Sequence, residues 1–157
     1  MGWLENMMGG SGPIDKDEML AMCDARMAER DYEGAARIAQ KYKNKVIESE
    51  HLENNKKNEC AAYAWYVIAK SVFKSITMDS TKRNYEIYKA FFAAHRMGYS
   101  CFQSLLLRED GEWDEESQHY PYFEELDQFY DELYKLYSDD PSLDRADIDA
   151  NQLKGVV

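Results

Sequence analysis

The stretch Glu29–Tyr42, ERDYEGAARIAQKY, decides how this 157-residue chain is read. RDYEGA, Arg30–Ala35, turns the chain. From Tyr32 to Ser49 the apolar positions Ala35, Ile38, Ala39, Tyr42 and Val46 step by three and four, the spacing of an amphipathic helix. Upstream, PIDKDEML carries a helix start, with Asp15 able to cap, Glu18 three residues later, and Ile14 and Met19 placed for a hydrophobic staple. A first helix therefore runs from about Lys16 to Glu29, with Leu20, Cys23 and Met27 on one face. The opening stretch is the elbow and second arm of a helical hairpin.

Working outward, ESEHLENNKKNE reads as a polar loop or frayed helix end. CAAYAWYVIAKSVFKSI, Cys60–Ile76, is apolar almost all round and predicts a central buried helix. TMDST breaks the chain, with Asp79 or Ser80 as cap. A fourth helix spans about Thr81–Met97, with Gly98 as its stop, and SCFQSLLLRE forms a short fifth. After a charged turn containing Gly111 and Pro121, a sixth helix runs Tyr122–Tyr137 with Phe123, Leu126, Tyr130, Leu133 and Tyr137 on its stripe. No alternating strand pattern appears. The expected class is all-α, about six helices as stacked antiparallel hairpins, with an irregular helical bundle as the alternative. The expected organisation is an N-terminal arm over 1–13, one helical domain over 14–138, and an acidic, weakly apolar tail over 139–157, either a short helix or a loose end.

Hydrophobic residues at 45% and charged residues at 31% describe a globular chain, and only three prolines and eight glycines permit long helices. Charge is uneven. Formal net charge is −11, and Arg108–Asp149 holds 16 acids against 3 bases, a net of −13, leaving the remainder at +2. Lys41, Lys43, Lys45, Lys56 and Lys57 are the one basic cluster, read as an exposed helix end. This balance argues against direct nucleic-acid binding, which needs clustered cations on phosphates. The acidic third is either a solvated face or a surface for a basic partner.

Cys23, Cys60 and Cys101 are odd in number and widely spaced, with no Cys-x-x-Cys. They predict reduced thiols and a cytoplasmic protein. Met1–Pro13 has no positive n-region, no stretch approaches the roughly 20 apolar residues of a membrane span, and Asn6 stands where a myristoylation signal needs Ser or Thr.

RDYEGAARIAQKY resembles the middle of a tetratricopeptide repeat, with Asp31, Tyr32, Glu33 and Ala35 at the family's turn, aromatic, acidic and small positions. Arg30 stands where the family has its turn glycine, and Met22–Cys23 stand at its Leu-Gly pair. DGEWDEE, Asp110–Glu116, repeats the Gly-acid-aromatic-acid order, though Glu116 replaces the small residue. AAHRMGYSCFQSLL, Ala93–Leu106, is similar to the junction of Sel1-like repeats through Gly98, Tyr99, Gln103 and Leu106. The resemblance touches about half of the chain. It implies a right-handed helical repeat that binds proteins or peptides.

No phosphate-cradling loop, zinc-protease motif or hydrolase nucleophile motif occurs. Glu48–His51 and Glu116–His119 share metal-carboxylate spacing, but neither pair sits on an apolar helix face. The chain is read as a non-enzyme with no metal or cofactor, an interaction module for a protein or peptide, a basic one among the candidates. The alternative is a small acidic inhibitor blocking a basic site on a nuclease, toxin or nucleic-acid-binding enzyme. Expected inner-helix placement nominates Arg26, Arg30, Asn58, Tyr63 and Tyr66 for a groove. The acid-aromatic helix adds Tyr130, Tyr134, Tyr137, Glu124, Asp127 and Asp131 as a rim for a basic peptide.

Overall fold

A computed structural model describes residues 15–152. The expected arm over 1–13 lies outside them, as does Ile14 of the expected staple. The described residues form six α-helices and no strand: α1 (Lys16–Ala28), α2 (Tyr32–Glu48), α3 (Asn54–Met78), α4 (Tyr85–Leu106), α5 (Tyr120–Tyr137) and α6 (Pro141–Gln152). The all-α class and the helix count agree with the sequence reading. The partition differs in three places.

The α1–α2 hairpin forms where the opening stretch predicts it. Asp31 caps α2 by accepting from the Gly34 N–H at 2.9 Å. Arg30 takes φ +62°, the left-handed conformation that favours glycine. Its N–H bonds the Met27 carbonyl and that of Asp31 bonds Arg26, closing the end of α1. Cys23 donates its thiol to the Ala35 carbonyl at 3.4 Å, and both residues are fully buried, so two small side chains let α1 and α2 approach.

The first correction concerns Asn54–Glu59. These polar residues are the first turns of α3 rather than a loop, and Glu53, at the N-cap of α3, makes no side-chain cap bond. The second concerns Gly98. It does not stop a helix: Tyr85–Leu106 is one element, and the expected fourth and fifth helices are its halves. Gly98 is buried where α3, α4 and α5 meet. A Cβ there would sit 3.2 Å from both Trp65 Cβ and Leu126 Cδ1, so the glycine serves close approach. The third concerns the expected tail. Pro141–Gln152 is a helix that packs on α4 and buries Leu143, Ala146, Asp147 and Ala150.

Consecutive helices lie side by side from α1 to α5, α1 and α5 also touch α3, and α6 rests on α4. One continuous apolar core runs through all six helices, with Tyr42, Tyr88, Phe91, Phe102 and Leu133 among its fully buried members. DGEWDEE does not begin a helix. Gly111 at φ +85° and a bridge between Leu107 and Trp113 make it a tight loop, and Trp113 packs on Phe123 with centroids 5.2 Å apart. Lys43 is not an exposed member of a basic cluster. It is buried, with Nζ 4.5 Å from the Trp65 ring centroid, and burial lowers its pKa. Among the described residues no helix is long and apolar enough to cross a membrane.

Candidate functional site

The nominated residues do not converge. Tyr63 and Tyr66 are buried under α5. The Tyr122 ring meets both, at 4.8 and 5.1 Å, and Phe129 stacks on Tyr66. The Tyr63 hydroxyl lies 2.8 Å from His119 Nδ1, and Tyr66 donates to Glu125 at 2.6 Å. The expected inner groove at these tyrosines is therefore filled by the chain's own fifth helix. Asn58 holds α3 to α4 by donating to the Cys101 carbonyl at 3.1 Å. Arg26 pairs with Asp31 at 3.1 Å, and Arg30 borders a separate notch of about 370 Å³ with Tyr32 and Lys82.

The α5 residues divide by face. Glu124, Asp127 and Asp131 are exposed and follow one side of the helix at three- and four-residue steps. Tyr130 and Tyr134 turn toward α6, where both hydroxyls donate to Asp147 Oδ2, at 2.6 and 2.7 Å. Asn151 donates to the other oxygen of Asp147 at 3.3 Å. Tyr137 packs beside Tyr88 and takes the Arg83 guanidinium over its ring at 4.9 Å.

These contacts belong to a wider pattern. Tyr66 donates to Glu125, Tyr85 to Asp149, Tyr88 to Asp140 and Tyr120 to Glu115, while Tyr134 also reaches Asp144. All of these carboxylates come from the acidic third. Part of its charge therefore serves as hydrogen-bond acceptor for phenols, a bond strengthened by the acceptor's charge.

Where α5 and α6 part across α4, they leave a cleft of about 630 Å³. That size suits a small ligand or an inserted side chain. Helix α4 contributes Phe92, His95, Arg96, Tyr99 and Gln103, α5 contributes Asp127 and Tyr130, and α6 contributes Asp147 and Asn151. His95 lies in a column of rings, with centroids 5.9 Å from Phe91, 5.8 Å from Tyr99 and 5.1 Å from Tyr130. Its Nε2 sits 3.6 Å from Asp127 Oδ1, too long for a hydrogen bond. His95 Nε2 and Arg96 Nε are both buried without a hydrogen-bond partner among the described residues. Arg96 forms no ion pair among them.

Burial, then the bond to Asp147, pushes the Tyr130 hydroxyl upward, and burial does the same for Tyr99. Both phenols stay protonated and offer hydrogen bonds rather than base chemistry. Burial raises all three thiols, with Cys23 pushed up to about 12, and a protonated thiol is a poor nucleophile. No three metal-binding side chains converge among the described residues.

Of the residues nominated from sequence, only Asp127 and Tyr130 line the cleft. His95, Arg96, Gln103, Asp147 and Asn151 were missed. One signal was available: Phe92, His95, Tyr99 and Gln103 step by three and four with Arg96 beside His95, so polar side chains interrupt an apolar stripe of α4. Reading Gly98 as a stop hid that face. No family model, no curated protein and no solved structure matches the chain.

Proposed function

We propose that this chain is a non-enzymatic recognition module, of adapter or scaffold type, for a protein or peptide partner carrying basic groups. The observation that carries the reading is the outer side of α5. Glu124, Asp127 and Asp131 stand exposed on successive turns, beside a cleft walled by aromatic rings. Such a face steers cations and makes association salt-dependent. The same acidity repels phosphate, so nucleic acid is not the partner proposed. The α1–α2 elbow, with its left-handed Arg30, supports reading the first two hairpins as tetratricopeptide-like, and the buried protonated thiols support a reducing, cytoplasmic setting.

A second reading draws on the same acids. Carboxylates one turn apart along α5 could cover the basic site of a nuclease, toxin or nucleic-acid-binding enzyme. Chemical cross-linking followed by affinity capture tests the first reading. Recovery of specific partners is expected to fall as salt rises from about 0.05 to about 0.5 M and to be lost in a Glu124→Lys/Asp131→Lys variant. Recovery indifferent to both overturns it. A captured enzyme that loses activity when bound favours the blocking role.

A further inference from the structure

We infer that the cleft between α4, α5 and α6 receives an arginine side chain of a basic partner, with Asp127 as its counter-ion and Arg96 holding a main-chain carbonyl of the same partner segment. The inference rests on the recognition reading proposed above and adds which group enters and what holds it.

The carboxylates of the cleft are not equivalent. Asp147 already accepts from Tyr130, Tyr134 and Asn151. Asp127 accepts no hydrogen bond within the described residues, and its side chain is 51% exposed. It is the carboxylate free to take a guest. Two acids, Asp127 and Asp147, face one arginine, Arg96, in the cleft lining. Its rings favour a flat cation. Tyr99, His95 and Tyr130 line the cleft, and a guanidinium packs on aromatic rings while presenting parallel N–H groups to a carboxylate. An ammonium is more strongly hydrated and cannot donate bidentately.

Arg96 gives the second half. It lines the cleft, and its Nε–H is buried without a hydrogen-bond partner among the described residues. A buried donor without an acceptor is costly, and a peptide carbonyl supplies one without adding charge. A free carboxylate would also satisfy Arg96, but it would meet Asp127 across the cleft.

The test uses short capped peptides and the whole chain. Acetyl-Gly-Arg-Gly-amide is titrated by NMR alongside its lysine, citrulline and glutamate counterparts. Perturbations are expected at the Met97 methyl, the His95 ring and the side-chain amides of Gln103 and Asn151. The arginine peptide should bind tightest and the glutamate peptide should not bind. Asp127→Asn is expected to weaken the arginine peptide about fivefold, bringing it level with citrulline. Arg96→Gln should weaken arginine and citrulline peptides by the same factor, because it acts on the main chain. Unchanged backbone amide spectra verify that both variants fold. Citrulline or lysine binding as well as arginine, tighter binding of glutamate, or perturbations away from the cleft overturn the inference. If no peptide enters but the Glu124→Lys/Asp131→Lys variant still loses salt-sensitive capture, the cleft assignment falls and the recognition reading stands. If the arginine peptide binds but salt-sensitive capture fails, the recognition reading falls.

Discussion

Helices α1 to α4 and the pair α5–α6 are joined by different chemistry. In the first region, small residues and apolar side chains bring backbones together: Cys23 on Ala35, Gly98 against Trp65, and Ile76, Phe91 and Phe102 fully buried. In the second, α5 and α6 meet through hydroxyls and carboxylates, with Asp147 as the common acceptor of Tyr130 and Tyr134. The difference explains why tyrosine is abundant beside so much acid. Acidity in the C-terminal third is partly an internal adhesive, and only its outward remainder is available to a partner.

The comparison breaks first at high pH. Burial, followed in all four by a carboxylate acceptor, raises the phenols of Tyr66, Tyr88, Tyr130 and Tyr134. A group whose pKa rises on folding holds its proton more tightly in the native state. Stability is therefore kept below the unfolded value of about 10 and lost as pH climbs above it. Complete unfolding is expected on the alkaline side, with tyrosinate absorbance and helical circular dichroism changing together. Tyrosines that ionise freely while the helices persist would refute this.

Ile76→Ala, in the apolar region, is expected to cost about 3 kcal/mol in urea unfolding. Asp147→Ala should cost about 2 kcal/mol, because two phenol donors lose their acceptor at once. Tyr130→Phe should cost less, since Asp147 keeps Tyr134 and Asn151. A neutral Asp147→Ala would mean that apolar contacts of Leu143 and Ala146 hold α6 unaided. Arg30→Gly should stabilise by about 1 kcal/mol, because glycine takes φ +62° without the side-chain clash. The smallest effect is on the acid side. Burial lowers the pKa of His119, so the native state resists its protonation, and stability should begin to fall as pH drops below about 6.5. His119→Gln should flatten that slope in pH-dependent thermal melts.

Much of the first region was legible because its helices announce themselves locally. α2 carries a regular stripe, α3 an apolar run, and Asp31 a cap. What was hidden depends on distant partners. Gly98 reads as a stop unless Trp65 and Leu126 are known to lie against it. The start of α3 has no capping side chain to mark it. Helix α6 hides its stripe of Leu143, Ala146 and Ala150 among acids whose role depends on tyrosines of α4 and α5. The cleft draws on three helices separated by long stretches of chain, so no local motif could reveal it. Tyr63 and Tyr66 were assigned to an open inner groove because nothing near them shows that α5 folds back over α3.

Gly98 has one more consequence, for motion. With no side chain between them, the backbones of α3 and α4 are in near contact at the crossing, and the pair behaves as a single stiff slab. Helix α5 follows that slab after the loop 107–119 and α6 follows α5 after residues 138–140, and the two are tied to each other by rotatable hydroxyls. The cleft thus has a floor set by two helices held at backbone contact, and walls that meet that floor through side chains.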